Sequence, residues 1–331
     1  MTAEWLEHGG ALHAAREAFP RAPLPWIDLS TGINPHAWDT ARAGPIDWTR
    51  LPERAAIDEL LAAAADHLGI DPARLCATPG SEIALRLLAH LGLPGPFRHV
   101  APGYRTHGEA FPDGRAIPLD ALSGEADKGG TILLANPGNP DGHILATDEL
   151  RRIAGRIAAA GGCLVVDEAF ADVHPDIGLA PCLNGDEPVL ILRSFGKFFG
   201  LAGVRLGFVV GPPPWIAAFR RHVGSWPVSA AAIAIGGAAY RDRPWIAATR
   251  ARLAGEADAL DALLRRHGLR AAGDCPLFRL VGTDDAARLF ERLARHGILT
   301  RPFDYDPRRL RIGLPGSGDA LARLDRALAD G

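Results

Sequence analysis

Short apolar runs alternate with helical patterns through the middle of this 331-residue chain, and that alternation restricts the folds open to it. Apolar runs of this kind fit strands that are buried on both sides, and the helical stretches between them fit crossovers between parallel strands. We therefore expect an α/β fold with a mostly parallel sheet covered by helices. The predicted strands are Leu75–Ala77, His99–Ala101, Thr131–Ala135, Cys163–Val166, Val189–Arg193 and Leu206–Val210.

Helical periodicity marks the connections and then a second part of the chain. The helices predicted around the sheet are Glu53–Leu68, Ser81–Leu91 and Asp148–Ala160. Beyond them come a long amphipathic helix, a strand, a helix and two short strands, at Pro244–His267, Leu277–Val281, Asp285–His296, and near Leu299 and Leu310. This order is typical of a smaller α+β domain. We predict a large domain over residues 44–225 and a small domain over 1–43 and 226–331, joined by the long helix near 244–267.

Charge and cysteine content exclude several kinds of partner. With a net charge of −3 and a sequence pI near 6.5, the chain is not expected to bind nucleic acid or an anionic membrane, and a small-molecule ligand fits better. We find no secretory signal and no apolar run that approaches the roughly 20 residues needed to span a bilayer. The 4 cysteines form no CxxC or Cys/His pattern, so we expect reduced thiols, a cytoplasmic location and no metal site.

Lysine usage singles out one residue. Of the 36 basic residues only Lys128 and Lys197 are lysines. Arginine stays protonated and is a poor nucleophile, whereas a lysine amine can lose its proton and form an imine. Lys128 lies in a charged turn, but Lys197 lies in Ser-Phe-Gly-Lys-Phe-Phe-Gly, where aromatic neighbours desolvate the amine. We therefore predict imine chemistry at Lys197.

Residues at the strand ends are the next candidates, because ligands of open parallel sheets bind at the carboxyl ends of the strands. Asp167 directly follows one predicted strand, at a buried position where a carboxylate needs a cationic partner. A protonated pyridine nitrogen would serve and would turn its ring into an electron sink, but an arginine or a metal would serve equally well. Asn139 follows another strand, in a loop stiffened by two X-Pro steps; the loop either aims this amide at a ligand oxygen or is a plain turn.

Two further strand ends carry groups suited to phosphate. Gly80, Ser81 and Glu82 open a helix whose free N–H groups and dipole favour an anion, although most such helix starts are simple caps. Ser194 and Arg205 flank Lys197 and supply a hydroxyl and a planar guanidinium fork. This cluster around Lys197 is the strongest functional signal in the sequence.

The run 194–208 resembles the cofactor-lysine segment of fold-type-I aminotransferases, and the resemblance extends, in order, over nearly the whole chain. It implies a fold-type-I PLP-dependent transferase-like fold, with pyridoxal 5'-phosphate held as a Schiff base on Lys197. It also implies that Asp167 pairs with the pyridinium nitrogen, that Asn139 donates to the phenolic oxygen and that Tyr104 stacks on the ring. The catalytic residues would be Lys197, Asp167 and Tyr104. Ser81, Ser194 and Arg205 would bind the cofactor's phosphate. Gly80 and Glu82, on either side of Ser81, would also belong to the cofactor-binding site.

The N-terminal segment narrows the resemblance. His8-Gly9-Gly10, followed by the run 28–35, resembles the opening of the threonine-phosphate decarboxylases of cobalamin biosynthesis. That family removes CO2 from L-threonine O-3-phosphate to give (R)-1-amino-2-propanol O-2-phosphate, which implies a homodimeric carboxy-lyase here. Arg311, in Leu-Arg-Ile-Gly, matches the family's arginine that pairs with the substrate carboxylate. The other residues implied to bind substrate are His8 and Arg301, at its phosphate, with Gly32, Ile33 and Asn139.

Two departures and two rivals accompany this interpretation. Phe170 stands where many aminotransferases have a tyrosine, and Leu51 replaces the tyrosine of a Tyr-Pro pair that reaches the neighbouring subunit's phosphate site. Histidinol-phosphate aminotransferase, which has a similar size and also handles an amine with a distal phosphate, stays open as an alternative. The rival from another class is a non-catalytic ligand-binding or pathway-accessory protein with the same fold. The intact Lys197, Asp167 and Asn139 argue against it, because a sensor need not keep imine chemistry.

Overall fold

The computed structural model describes residues 4–330, which divide into two compact units. The large unit comprises Ala37–Asn139 and Ile144–Ala248, and the small unit comprises residues 4–36, Pro140–His143 and 249–330. In chain order the helices are α1 Glu4–Glu7, α2 Leu12–Ala18, α3 Arg54–Leu68, α4 Ser81–Leu87, α5 Arg105–Glu109, α6 Leu122–Ala126, α7 Thr147–Ala159, α8 Phe195–Phe198, α9 Pro213–Val223, α10 Ala230–Arg241, α11 Arg243–Arg266, α12 Ala286–Arg295 and α13 Gly318–Ala329. The strands are β1 Ile27–Asp28, β2 Leu75–Thr78, β3 Phe97–Val100, β4 Arg115–Ile117, β5 Thr131–Ala135, β6 Cys163–Asp167, β7 Val189–Ser194, β8 Gly207–Val210, β9 Arg270–Ala272, β10 Phe278–Gly282, β11 Ile298–Leu299, β12 Arg301–Pro302 and β13 Arg309–Gly313.

A mixed sheet forms the centre of the large unit, with the strand order β2-β8-β7-β6-β5-β3-β4. Strand β8 is antiparallel to both of its neighbours, β2 and β7, and the other neighbouring strands are parallel. Every residue of β6, β7 and β8 is buried, as expected for strands covered on both faces. The predicted α/β fold with a mostly parallel sheet is thereby confirmed. The edge strand β4 was not predicted, because it is short and two of its residues are exposed.

Two stretches that the sequence analysis assigns to the small domain lie in the large unit, namely 37–43 and 226–248. Trp38 anchors the first: its backbone N–H donates to the Phe199 carbonyl and its indole N–H to Asp242, both at 2.9 Å. In the second, helix α10 packs against α3 of the large unit. Their membership depends on tertiary packing and not on their position along the chain.

The small unit has the α+β composition predicted for this part of the chain. Its antiparallel sheet has the order β12-β13-β10-β9, and β1 pairs in parallel with β11. Helix α12 begins where the side chain of Asp285 accepts the Arg288 N–H at 3.0 Å, and it buries Leu289, Phe290 and Leu293. Within residues 4–330, no helix has both the length and the apolar character needed to cross a membrane.

Candidate active site

Three neighbouring parallel strands, β5, β6 and β7, bring three of the predicted cofactor-site residues to one edge of the large sheet. Asp167 ends β6, where it is in register with Ala135 of β5 and Leu192 of β7. Asn139 follows β5, and Lys197 lies in α8, which begins directly after β7. Because parallel strands end at the same edge of a sheet, the three residues lie at or after the ends of adjacent strands, as the sequence predicts.

Asp167 is 6% exposed, and its carboxylate has two hydrogen-bond partners. Its Oδ1 accepts the N–H of Ala169 at 3.1 Å, and its Oδ2 lies 2.9 Å from Nε2 of His107, which is 1% exposed. The side chain that pairs with the acid is thus an imidazole and not the arginine that the sequence left open as a possible partner. The buried guanidinium of Arg193, in the neighbouring strand β7, pairs with Glu168.

The sequence analysis missed His107, and one signal pointed to it. His107 lies three residues after Tyr104 at the start of α5, so one helical turn places both side chains on the same side. The two rings meet edge to face, with centroids 5.8 Å apart and an interplanar angle of 88°. A histidine at this spacing therefore links the predicted ring-stacking residue to the predicted acid.

Lys197 is half-buried among aromatic rings. Its neighbours Phe195, Phe198 and Phe199 are each 0% exposed. Its Nζ lies 5.8 Å from the ring centre of Phe170, which stands three residues after β6, where many aminotransferases have a tyrosine. The amine thus lies beside an aromatic ring of the segment that follows β6.

The predicted phosphate groups come together around the turn before α4. Gly80 has φ +88°, and a Cβ atom placed on it would lie 2.8 Å from Nη2 of Arg205. Arg205 itself has φ +56°, in the left-handed region. Ser194 is in register with Gly207, where a Cβ would lie 2.5 Å from the backbone nitrogen of Ser81. A guanidinium, two hydroxyl-bearing residues and a helix start are thus packed against one another, with glycine at the closest approaches.

Two more large-unit residues were predicted to contact the cofactor. Asn139 is half-buried in a loop held by Asn136, whose side chain donates to the Leu145 carbonyl at 3.2 Å and accepts the Leu145 N–H at 2.9 Å. Tyr104 is half-buried, and its hydroxyl donates to Oε2 of Glu82 at 3.0 Å. Burial and the charge of Glu82 raise the pKa of Tyr104 to about 12, so the hydroxyl stays protonated at neutral pH.

This set of groups fits the predicted cofactor. The hydroxyls, guanidinium and helix start supply donors to a phosphate, and the side chain that Gly80 lacks would fill the space beside Arg205. A buried carboxylate suits a protonated ring nitrogen, and a primary amine suits an aldehyde. The individual roles of these residues stay predictions.

A buried ion network that the sequence analysis missed lies next to these strand ends. Arg193, which precedes Ser194 in β7, donates from Nη1 to Glu168 at 2.7 Å and from Nη2 to Asp172. Nε2 of His67 lies 2.9 Å from the same Asp172. The side chains of Arg193, Glu168 and Asp172 are 4%, 0% and 2% exposed. The network ties the end of β6 to the end of β7.

The small unit holds the residues predicted to bind substrate anions. Arg311 in β13 is 7% exposed, donates from Nη2 to the Ser30 carbonyl at 2.8 Å, and places its guanidinium carbon 4.9 Å from the ring centre of Phe278. Burial and the nearby charge of Arg301 lower the pKa of Arg311 to about 10. Arg301 is in register with Arg311 across β12 and β13, so two cations occupy one region of this unit.

The remaining predicted substrate residues are tied to these arginines through the backbone. Arg301 donates to the Trp5 carbonyl at 2.9 Å and to the Glu7 carbonyl at 2.6 Å, and Glu7 directly precedes the exposed His8. Gly32 and Ile33 follow Ser30, whose hydroxyl accepts the Gly10 N–H at 2.8 Å. The structure therefore brings the N-terminal motif and the segment around Gly32 to the same part of the small unit.

Comparison with known sequences gives matches over nearly the full chain. The model of the family "Aminotransferase class I and II" matches residues 26–328. A threonine-phosphate decarboxylase from Sinorhizobium sp is 41% identical over 98% of each chain, and one from Pseudomonas aeruginosa is 38% identical over 98% of this chain and 97% of its own. A histidinol-phosphate aminotransferase from Halorubrum lacusprofundi is 28% identical over 92% of this chain and 89% of its own.

Solved structures share the architecture. The histidinol-phosphate aminotransferase from Sinorhizobium meliloti, in complex with pyridoxal-5'-phosphate, superposes with a TM-score of 0.80 at 23% identity, over 97% of this chain and 94% of its own. The histidinol-phosphate aminotransferase from Clostridium acetobutylicum gives 0.83 at 16% identity, over 92% and 98%. At these identities the likeness establishes the fold, and it confirms the fold type predicted from the sequence.

Proposed function

Because this chain belongs to the aminotransferase class I and II family, we propose that it is a pyridoxal-phosphate-dependent decarboxylase that converts L-threonine O-3-phosphate to (R)-1-amino-2-propanol O-2-phosphate and CO2, a step of cobalamin biosynthesis. The observation that carries the substrate assignment is the 41% and 38% identity, over nearly the whole chain, to threonine-phosphate decarboxylases. The relatives named histidinol-phosphate aminotransferase are less similar, at 28% in the example above. The pairing of Arg301 with Arg311 is consistent with a substrate that carries two anionic groups.

The cofactor-site residues of the large unit have separate proposed roles. When bound, pyridoxal phosphate supplies an electron sink that accepts the electron pair left at Cα. Lys197 holds the cofactor through its amine and moves a proton to Cα after CO2 has left. Asp167, oriented by His107, keeps a proton on the ring nitrogen. Asn139 donates to the phenolic oxygen, and Tyr104 covers the ring.

The small unit's residues bind and orient the substrate. Arg311 presents its guanidinium fork to the α-carboxylate, because a planar pair of donors matches two carboxylate oxygens. Arg301 and His8 bind the distal phosphate. Holding the carboxylate in this way selects which bond at Cα breaks, so substrate pose separates a decarboxylase from an aminotransferase that uses the same cofactor groups.

The decisive experiment measures both activities in one purified preparation. We expect CO2 release from threonine phosphate, and no amino transfer when histidinol phosphate is supplied with 2-oxoglutarate. Transfer from histidinol phosphate without CO2 release from threonine phosphate would reverse the assignment. Binding of threonine phosphate without any turnover of either substrate would favour the non-catalytic alternative.

Replacing Arg311 with lysine is expected to lower kcat/KM by about 10- to 100-fold, because the charge remains but the two-donor fork, worth roughly 1.5–3 kcal/mol as a charged hydrogen bond, is lost. The matched control is Arg309→Lys, on the same strand at an exposed position. Steady-state kinetics on both variants, with thermal melting to check folding, tests this. Equal kinetics for the two variants would remove Arg311 from the substrate site.

Replacing His107 with alanine is expected to weaken cofactor binding and to lower kcat by about tenfold or more, since the hydrogen bond to the Asp167 carboxylate is worth roughly 1.5–3 kcal/mol. His107→Gln retains a donor and should recover part of the loss. Cofactor titration and kinetics of the two variants measure the effect. If the alanine variant binds and turns over like the parent, Asp167 does not depend on the imidazole.

We further propose a homodimer. Trp48 and Leu51, ahead of α3, are 74% and 64% exposed, and Trp226, ahead of α10, is 58% exposed. We take these exposed apolar side chains as candidate contacts of the subunit interface. Sedimentation equilibrium is expected to give twice the chain mass.

The proposed cytoplasmic location is in keeping with the cysteines, which are all free thiols, three of them buried.

A further inference from the structure

Glu82 links two parts of the proposed cofactor site that lie far apart in the sequence. It is the second residue of α4, directly after Ser81. Its Oε2 accepts the Tyr104 hydroxyl at 3.0 Å, and its two carboxylate oxygens accept the Thr106 hydroxyl at 2.9 and 3.1 Å. The carboxylate therefore ties the helix that begins at the phosphate turn to the segment that begins α5.

The bond to Glu82 sets the orientation of the Tyr104 ring. A tyrosine side chain has two rotatable bonds, and its hydroxyl oxygen lies on the axis of the second, so a hydrogen bond there fixes the direction in which the ring extends. The opposite restraint comes from His107, whose ring lies edge to face against Tyr104. Glu82 and His107 thus both restrain the phenol ring.

The charge of Glu82 also needs explaining, because a carboxylate beside a phosphate-binding turn repels the phosphate. Arg86, one turn later in α4, donates from Nε to Oε1 of Glu82 at 3.1 Å, and it also pairs with Glu109 at 2.6 Å. Arg86 therefore offsets the acid locally. Its carboxylate oxygens accept hydrogen bonds from Arg86, Tyr104 and Thr106, so the acid is held in one place by three side chains.

We propose that Glu82 acts through its side chain as a positioning residue: it accepts the Tyr104 hydroxyl and so holds the ring, whose plane His107 restrains, in the place needed to stack on the cofactor. The inference rests on the proposed cofactor site. Glu82 lies outside the reacting atoms and works through Tyr104, in addition to any contact that its backbone makes at the phosphate turn.

A double-mutant cycle tests this role. Glu82→Ala and Tyr104→Phe each remove one end of the same hydrogen bond, and Tyr104→Phe keeps the ring. We expect each to weaken pyridoxal-phosphate binding by roughly tenfold, as for loss of a hydrogen bond to a charged group, and the double variant to be no weaker than either single variant. Glu82→Gln, which keeps an acceptor oxygen, should recover most of the affinity.

The second readout is the visible circular dichroism of the bound cofactor, which reports ring orientation. We expect it to change in Glu82→Ala and to stay as in the parent in Glu109→Gln, which removes the other acid paired with Arg86. Parent-like affinity and dichroism in Glu82→Ala, or additive losses in the double variant, would overturn the inference. Parent protein that binds no pyridoxal phosphate would instead defeat the proposed function, so the two failures are distinguishable.

Discussion

Replacing Lys197 with alanine is expected to abolish decarboxylation and to leave no site for covalent attachment of the cofactor. Proton transfer by a positioned side chain alone contributes roughly 10²–10⁴-fold to a rate, and Lys197 also holds the cofactor, so we expect kcat to fall by at least that factor. Lys197→Arg should be equally inactive, because a guanidinium keeps the charge but does not form the imine.

The low lysine content of the chain makes this prediction simple to check. Lys197 and Lys128 are the chain's lysines, so borohydride reduction followed by peptide mass analysis has few amines to distinguish. The control is Lys128→Ala: the Lys128 side chain is 61% exposed and pairs with Glu125 at 2.8 Å. The reduced pyridoxyl group should appear on the peptide containing Lys197 in the parent and in Lys128→Ala. Its appearance on Lys128, or retained turnover in Lys197→Ala, would contradict the proposed function at its centre.

Replacing Arg193 with methionine is expected to lower the free energy of unfolding by about 3–5 kcal/mol, the cost of removing one partner from a buried ion pair. Glu168 and Asp172 would both lose their guanidinium while staying buried. Burial already raises the pKa of Glu168 even with Arg193 beside it, so without the arginine this carboxyl would have to take up a proton. Urea denaturation of the parent and the variant, each with the same excess of cofactor, measures the difference in the free energy of unfolding.

Two further variants keep this prediction specific. Arg156→Met removes an arginine whose pair with Asp127 is exposed, at 41% and 61%, and should cost less than about 1 kcal/mol. Arg193→Met combined with Glu168→Gln should recover part of the lost free energy of unfolding, because only one of the two buried carboxylates is then left without the arginine. If Arg193→Met costs no more than Arg156→Met, the buried network does not stabilise the strand ends.

The sequence predicted much of the fold from local patterns. Strands β5, β6 and β7 appear at Thr131–Ala135, Cys163–Asp167 and Val189–Ser194, within one residue of the predicted bounds, because a run of buried apolar residues is a local property. Edge strands such as β9, whose three residues are all exposed, carry no such pattern and were missed. The helix predicted over Ser81–Leu91 ends its α-helical part at Leu87 and continues as a 3₁₀ turn over Leu88–His90.

What the sequence determined by itself is the chemical inventory: an amine at Lys197, an acid at Asp167 and an amide at Asn139, each after a strand whose apolar pattern fixes its place in a parallel sheet. What only the tertiary structure decided is which side chain pairs with which. Asp167 pairs with His107 across 60 residues of sequence, while the buried Arg193 pairs with Glu168. Local patterns determine which face of an element is buried, but the partner of a buried charge depends on which elements pack together, and that is set by the whole core at once.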